Sequence, residues 1–352
     1  LIPALVLVCI LTGTAAYQTG NLLGAIAGIN LLFNASEWVL VFIMGLMAGV
    51  LLLVPSVKII ARVLGGLVAV MGIVFLVSAI SVNPPVMELL SGMIRPVIPV
   101  GRGGGLLVLG LIGTTVVPYN LFLGSGISTG QSLKEMRSGL LIAVILGGII
   151  SMAVLVTGSS MKGDFTFSGL ANSLNQHIGN LGYLVLGVGL FAAGFTSAVT
   201  APLASAVTVR SLYGHKKPEL WKDGSRRFRA VWIAVLLTGM GFGMAGFKPV
   251  PVIVLAQALN GLILPLIAVY LFITINNRDI MQGSVNRRPG NLLMTIVVYI
   301  TIIIGLSGIV RAFMNAMHIE SGNWGMIMLI LAIVSVLLTG FVLLKILNNS
   351  RS

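Results

Sequence analysis

The sequence predicts an all-α polytopic membrane protein. Of its 352 residues, 57% are hydrophobic and only 8% are charged, whereas a soluble globular protein carries roughly 25% charged residues. The mean hydropathy is +1.08. Apolar runs long enough to cross a bilayer, about 20 residues each, follow one another along the chain. This composition excludes a soluble domain, a disordered chain and a coiled coil.

Ten such runs predict ten transmembrane helices. They cover residues 1–33, 38–54, 58–80, 104–128, 138–158, 182–212, 228–247, 250–275, 290–310 and 324–346. Turn-forming residues such as Pro55, the Pro84-Pro85 pair and Pro289 separate them. The first run contains a polar patch at 17–21, which a lipid-facing helix would not carry, so we expect it to face the bundle interior.

The basic residues predict the orientation. The net charge is +13, and assigning alternate loops to opposite sides puts 16 Lys and Arg residues on one side and 5 on the other. Because basic loops stay in the cytoplasm, we predict that both termini are cytoplasmic, in a bacterial-type inner membrane. The basic segment 210–229 lacks aromatic residues at a stacking spacing and contains two acids, so we predict no nucleic-acid partner.

The ionisable residues do not predict an enzyme. All eight Asp and Glu residues fall in or beside predicted loops. The histidines His177, His215 and His318 also fall in predicted loops, far apart in sequence. Neither a zinc cluster nor a Ser-His-Asp triad can be assembled from them, so we expect no enzymatic activity and no cofactor.

The most informative segment is 113–125. Pro118, near the middle of an apolar span, removes a backbone hydrogen bond. Four polar side chains cluster around it: Thr114, Thr115, Tyr119 and Asn120. A broken helix at the membrane midplane exposes carbonyl oxygens and a half-helix N-terminus, as ion sites in secondary transporters do. The alternative is a proline kink whose freed groups bond to neighbouring threonines.

A second polar cluster is formed by Gln257 and Asn260, which are three residues apart and therefore on one helix face. Two amides on a buried face can coordinate an ion or bond to a neighbouring helix, and the second use is the commoner one. The small-residue run 192–198 predicts close packing of helices.

Three separated segments match a known family in order and in spacing. Residues 117–125, Val-Pro-Tyr-Asn-Leu-Phe-Leu-Gly-Ser, are similar to a Met-Pro-His-Asn-Leu-Tyr-Leu-His-Ser motif. That motif belongs to the sixth helix of the Nramp family of divalent-metal transporters. Residues 190–198 and 247–265 are similar to the family's eighth and tenth helices. The resemblance covers essentially the whole chain.

The resemblance implies a LeuT-like bundle of two inverted repeats that lacks its first two helices. Residues 1–80 would then be the remainder of the first repeat, 104–275 the second repeat, and 290–346 two extra C-terminal helices. Because the chain begins at Leu1 inside an apolar run, we expect an N-terminal truncation. It would remove the family's Asp-Pro-Gly-Asn motif, which supplies a metal-binding carboxylate.

The resemblance also implies a metal site on the broken helix and the helix opposite. Its candidate residues are Gly113, Thr114, Val117, Tyr119, Asn120 and Gln257. Val117 stands where the family has a methionine, so the soft thioether that favours manganese, iron and cadmium is missing. Gln18 and Asn21 stand where the family has acids that take part in proton movement. These losses resemble those of the family's magnesium-handling branch.

We therefore expect a secondary transporter of divalent metal cations, of the Mg²⁺ or Mn²⁺/Fe²⁺ class, with weak or no proton coupling. Its partners are the metal, as transported substrate, and the lipid bilayer, while the oligomeric state is left open. Two alternatives are a sodium-coupled solute carrier of the same fold and a non-transporting membrane remnant or scaffold.

Overall fold

The computed structural model describes residues 2–54, 56–95, 111, 114, 117–127, 130–161, 163, 165–214, 217–316 and 324–351. Within these residues the chain is helical and contains no strand. The helices are α1 (Ile2–Asn30), α2 (Glu37–Leu53), α3 (Val57–Val82), α4 (Val86–Ile94), α5 (Pro118–Ile127), α6 (Leu133–Ser159), α7 (Phe167–Ile178), α8 (Gly182–Tyr213), α9 (Arg226–Met244), α10 (Pro249–Ile275), α11 (Arg278–Met281), α12 (Arg288–Ala316) and α13 (Trp324–Arg351). Gly113 lies outside the described residues, as does most of the predicted span 104–128 before Val117.

Seven helical ranges in the described part of the chain are long and apolar enough to cross a membrane. They are Lys58–Val82, Leu133–Ser159, Phe167–Tyr213, Pro218–Met244, Pro249–Ile275, Arg288–Val310 and Gly325–Ile346. α2 is apolar but shorter. The protein is therefore an integral membrane protein, while the count of ten spans and the division into repeats stay predictions.

The segment 159–181, predicted as a loop, contains the helix α7. His177 therefore lies in the last turn of a helix instead of in a loop. At 12 residues, α7 is too short for a bilayer crossing of about 20 residues, so a search for long apolar runs does not find it. Its apolar residues Leu170, Ala171 and Leu174 are buried and belong to one core cluster with Phe75 of α3.

The chain divides into two compact units, of which the larger comprises residues 14–97 and 119–253. Helix α8 lies at the centre of this unit, in contact with α2, α3, α7 and α9. The part of α1 that belongs to this unit also packs on α8. A Cβ atom at Gly28 would lie 2.5 Å from the carbonyl oxygen of Gly187 and 2.6 Å from the backbone nitrogen of Phe191. The two backbones therefore approach closely, as small residues allow in membrane helices.

The small-residue run 192–198 of α8 has the packing role that the sequence predicts. Ala192, Gly194 and Ala198 are buried, and the position of a Cβ at Gly194 is occupied by the backbone of Ala25 in α1. Because Gly194 has no side chain, α1 can pack closely against α8. The run therefore allows close contact between these two helices.

The smaller unit comprises residues 1–13, 98–118 and 254–352. Side chains of α10, α12 and α13 form its core: Ala268, Phe272, Val298, Ile302, Val342 and Ile346. Three asparagines connect the end of α10 to the start of α12. Asn286 donates to Asn291 and Asn291 donates to Asn276, each at 2.8 Å, and Asn276 donates to the carbonyl of Phe272 at 2.9 Å. We call this series the asparagine chain.

Candidate functional site

The apolar span that contains Pro118 is interrupted at this residue. Thr114 is helical, Val117 is not, and α5 begins at Pro118. Proline favours the first position of a helix, because its missing N–H group has no helical partner there anyway and its φ angle already suits the helix. α5 is only ten residues long, half of the length that a bilayer crossing needs.

Three predicted site residues belong to the smaller unit. Thr114 is exposed, and Val117 and Gln257 are half-buried. Thr114 offers a hydroxyl and Gln257, in α10, offers an amide oxygen. Oxygen donors of this kind bind hard divalent cations. The fourth candidate on this side of the break, Gly113, lies outside the described residues.

The other two predicted site residues belong to the larger unit and differ in environment. Tyr119 is 5% exposed, whereas the adjacent Asn120 is exposed. The ring of Tyr119 meets that of Tyr17 edge to face, with centroids 5.8 Å apart. The side chain of Tyr119 therefore packs against α1, whereas the side chain of Asn120 is exposed.

Tyr17, which contacts Tyr119, belongs to a polar face of α1. Four polar residues, Thr14, Tyr17, Gln18 and Asn21, recur at spacings of three and four and therefore share one face. The prediction that residues 17–21 face the interior is confirmed, because residues 17–20 are buried and Asn21 is half-buried. The hydroxyl oxygen of Thr14 lies 2.7 Å from that of Ser205 in α8.

Gln18 compensates for a proline in the interior of α8. Pro202 has no N–H group, so the carbonyl oxygen four residues earlier, at Ala198, loses its helical donor. The side-chain nitrogen of Gln18 donates to this oxygen at 2.9 Å, and Gln18 is fully buried. An ionised carboxylate could not make this bond, because it has no hydrogen to donate. The sequence did not predict this role, although a proline in the interior of an apolar span indicates a carbonyl that lacks its helical donor.

Acidic metal ligands do not cluster in the described part of the chain. No group of three His, Cys, Asp or Glu side chains there could hold a metal ion. Glu37, Glu88, Glu135 and Asp279 lie in the first turns of helices. Four further ionisable residues lie outside the described ranges: Asp164, His215, His318 and Glu320.

Comparison with known proteins gives one consistent family. The family model described as "Natural resistance-associated macrophage protein-like", Nramp, matches residues 2–311. The divalent metal cation transporter MntH of Yersinia pestis is 26% identical over 305 residues, which cover 82% of this chain and 71% of that protein. MntH of Erwinia tasmaniensis is 23% identical over 303 residues, with coverages of 80% and 71%.

The fold matches solved structures as well. A mutant of the Eremococcus coleocola manganese transporter superimposes with a TM-score of 0.69 at 17% identity, covering 99% of this chain and 80% of the other. At this identity the likeness concerns the fold alone. Because the family model extends over residues 2–311 of 352, the chain belongs to the Nramp family.

Proposed function

We propose that this protein is a secondary transporter of divalent metal cations. The observation that carries the proposal is the interruption of an apolar membrane span at Pro118. An interrupted membrane helix offers backbone carbonyls and a half-helix terminus to an ion, which a continuous helix cannot do. The proposal is supported by the relatives, which are named divalent metal cation transporters.

We assign the metal site to the segment before Pro118 and to α10. The ligands are the hydroxyl of Thr114, the carbonyls of Gly113 and Thr114, and the amide oxygen of Gln257, with Val117 lining the site. Asn120 is exposed and belongs to the larger unit, so it is not included in this ligand set. Tyr119 packs against Tyr17, so we propose a packing role for it.

This ligand set favours a hard cation such as Mg²⁺ over a soft one. It contains oxygen donors and no sulfur or nitrogen donor, and oxygen ligands suit magnesium and calcium, while thioethers favour softer metals. Magnesium is therefore the substrate that we propose, with manganese as a competing one.

We further propose that transport moves few or no protons. Proton movement through the bundle needs groups that change protonation near neutral pH, and the polar face of α1 offers amides and hydroxyls instead. The amide nitrogen of Gln18 is in addition engaged with the carbonyl of Ala198. Metal uptake should leave the pH of the vesicle interior unchanged, as followed with an enclosed pH-sensitive dye. Acidification that tracks metal entry would contradict this part of the proposal.

The function is tested by metal uptake into proteoliposomes that contain the full-length protein. We expect saturable entry of Mg²⁺ and Mn²⁺ that protein-free vesicles lack. Thr114→Val and Gln257→Leu should each weaken the apparent affinity about tenfold, since each removes a polar group that bonds to a charge. Thr238→Val is the matched control, because Thr238 is exposed on α9 and bonds only within its own helix. Uptake equal to that of empty vesicles would favour the scaffold alternative.

A further inference from the structure

Basic side chains without acidic partners gather where α8 and α9 are connected. We call the following four exposed residues the basic patch: Lys217, Arg226, Arg227 and Arg229. The two acids of the connecting segment are already engaged, Asp223 with Arg210 and Glu219 with Lys222. Across the described ranges, no ion pair involves a residue of the patch. The patch therefore carries four uncompensated positive charges.

The segment that carries the patch is internally braced. The guanidinium of Arg210 lies over the ring of Phe228, 5.6 Å from its centroid, and the rings of Tyr213 and Trp221 stack at 6.3 Å. Ser225 caps α9 by accepting from the backbone N–H of Phe228, and it donates to the carbonyl of Leu220. These contacts hold the patch in one place relative to the ends of α8 and α9.

The patch lies at the level where the membrane meets water. It joins two apolar stretches that belong to membrane-spanning ranges, one ending at Tyr213 and the other including α9. Tyr213 is exposed and Trp221 is half-buried, and aromatic residues of this kind are enriched at lipid headgroup level. Headgroups are therefore the nearest available anions.

The arginines of the patch occupy an unfavourable position within the protein. Arg226, Arg227 and Arg229 lie at or near the first turn of α9, which contains no acidic residue. Cations at a helix N-terminus are disfavoured by the helix dipole. An external anion would relieve this repulsion as well as neutralise the arginines.

We propose that the basic patch binds the phosphate headgroups of anionic phospholipids. Arginine pairs with phosphate through two parallel N–H···O bonds, and each basic residue near an anionic membrane surface strengthens attachment about fivefold. The proposal requires that the protein be embedded in a membrane, and it is independent of the metal that the protein carries.

The test is lipid binding by the purified full chain in detergent. The number of bound phosphatidylglycerol and phosphatidylcholine molecules is counted by native mass spectrometry across a lipid titration. The variant Arg226→Gln/Arg227→Gln/Arg229→Gln should bind phosphatidylglycerol roughly tenfold more weakly or worse, with phosphatidylcholine unchanged. The variant with lysine at all three positions should keep most of the binding, because it keeps the charge.

A control variant removes the same charge elsewhere. Lys58→Gln/Arg62→Gln/Lys134→Gln changes three exposed basic residues on α3 and α6 and should retain phosphatidylglycerol binding. An equal loss in this control would show that binding is diffuse and overturn the proposal. A second measurement compares how far phosphatidylglycerol and inorganic phosphate protect the protein from thermal unfolding. Equal protection by the two would also overturn the proposal, because the site would then bind a soluble anion.

Folding of the variants is checked separately. If the glutamine triple variant is not monodisperse, the single variant Arg227→Glu replaces it, and it should lose phosphatidylglycerol binding while retaining its helical circular dichroism. Unaltered phosphatidylglycerol binding in a folded Arg227→Glu protein would contradict the proposal that the basic patch binds anionic phospholipids.

Discussion

At Gln18, a buried amide donates to the carbonyl that Pro202 leaves without a helical donor. We predict that Gln18→Leu lowers the free energy of unfolding by about 1–3 kcal/mol, since the carbonyl of Ala198 becomes a buried, unpaired acceptor. In a Pro202→Ala background the new N–H group at position 202 can bond to this carbonyl, so the same substitution should cost less. SDS-induced unfolding of the wild type, the two single variants and the double variant measures the difference. Additive losses would show that the two residues are not coupled.

Val117 lines the metal site that we propose, and its side chain contains no sulfur. We predict that Val117→Met shifts the uptake preference from magnesium toward manganese or cadmium, because a thioether is a soft ligand. Val117→Leu is the matched control, since it enlarges the side chain without sulfur and should leave the ranking of metals unchanged. Competition between the metals for uptake into proteoliposomes provides the ranking. An identical ranking in all three proteins would mean that residue 117 does not face the ion.

At the scale of elements, the contact between α1 and α8 depends on glycine at Gly28. We predict that Gly28→Ala destabilises the protein by about 1–3 kcal/mol, because the methyl group would collide with backbone atoms, which cannot turn aside as a side chain can. Gly66→Ala in α3 is the control. No atom lies within 4 Å of a Cβ there, so alanine should be neutral or should stabilise the helix by up to about 1 kcal/mol. Unfolding in SDS distinguishes the two, and equal behaviour would contradict the close contact.

The long helices could be predicted from the sequence because each residue contributes its own hydrophobicity to a span, whatever it contacts in the fold. Helix α8, for example, occupies Gly182–Tyr213, close to the predicted 182–212. The bond between Gln18 and Ala198 could not be predicted in this way, because it joins residues 180 positions apart. The same applies to Tyr119, whose neighbours and burial depend on α1. What a side chain contacts depends on packing between elements, which cannot be inferred from local patterns along a single sequence.

At the scale of the whole molecule, the distribution of basic residues predicts which ends of the helices face the cytoplasm. Helix α8 has 32 residues and is about 48 Å long, enough to cross the bilayer, so the segments before and after it should lie on opposite sides. In a Cys9→Ala background, Lys217→Cys should react with a membrane-impermeant maleimide from the cytoplasmic side only. Ser168→Cys should react from the outer side only, and both positions are exposed. Labelling of both cysteines from one side would refute this topology.

The asparagine chain of the smaller unit has a direction, because each amide nitrogen donates to the next oxygen toward Phe272. Asn291→Asp would replace the amide nitrogen that donates to Asn276 by a carboxylate oxygen. This oxygen would face the acceptor oxygen of Asn276 and repel it. Asn291 bonds to both of the other asparagines, so its amide connects all three. Among homologous sequences the three asparagines should be retained together or replaced together. A homologue in which only one of the three positions differs should be rare.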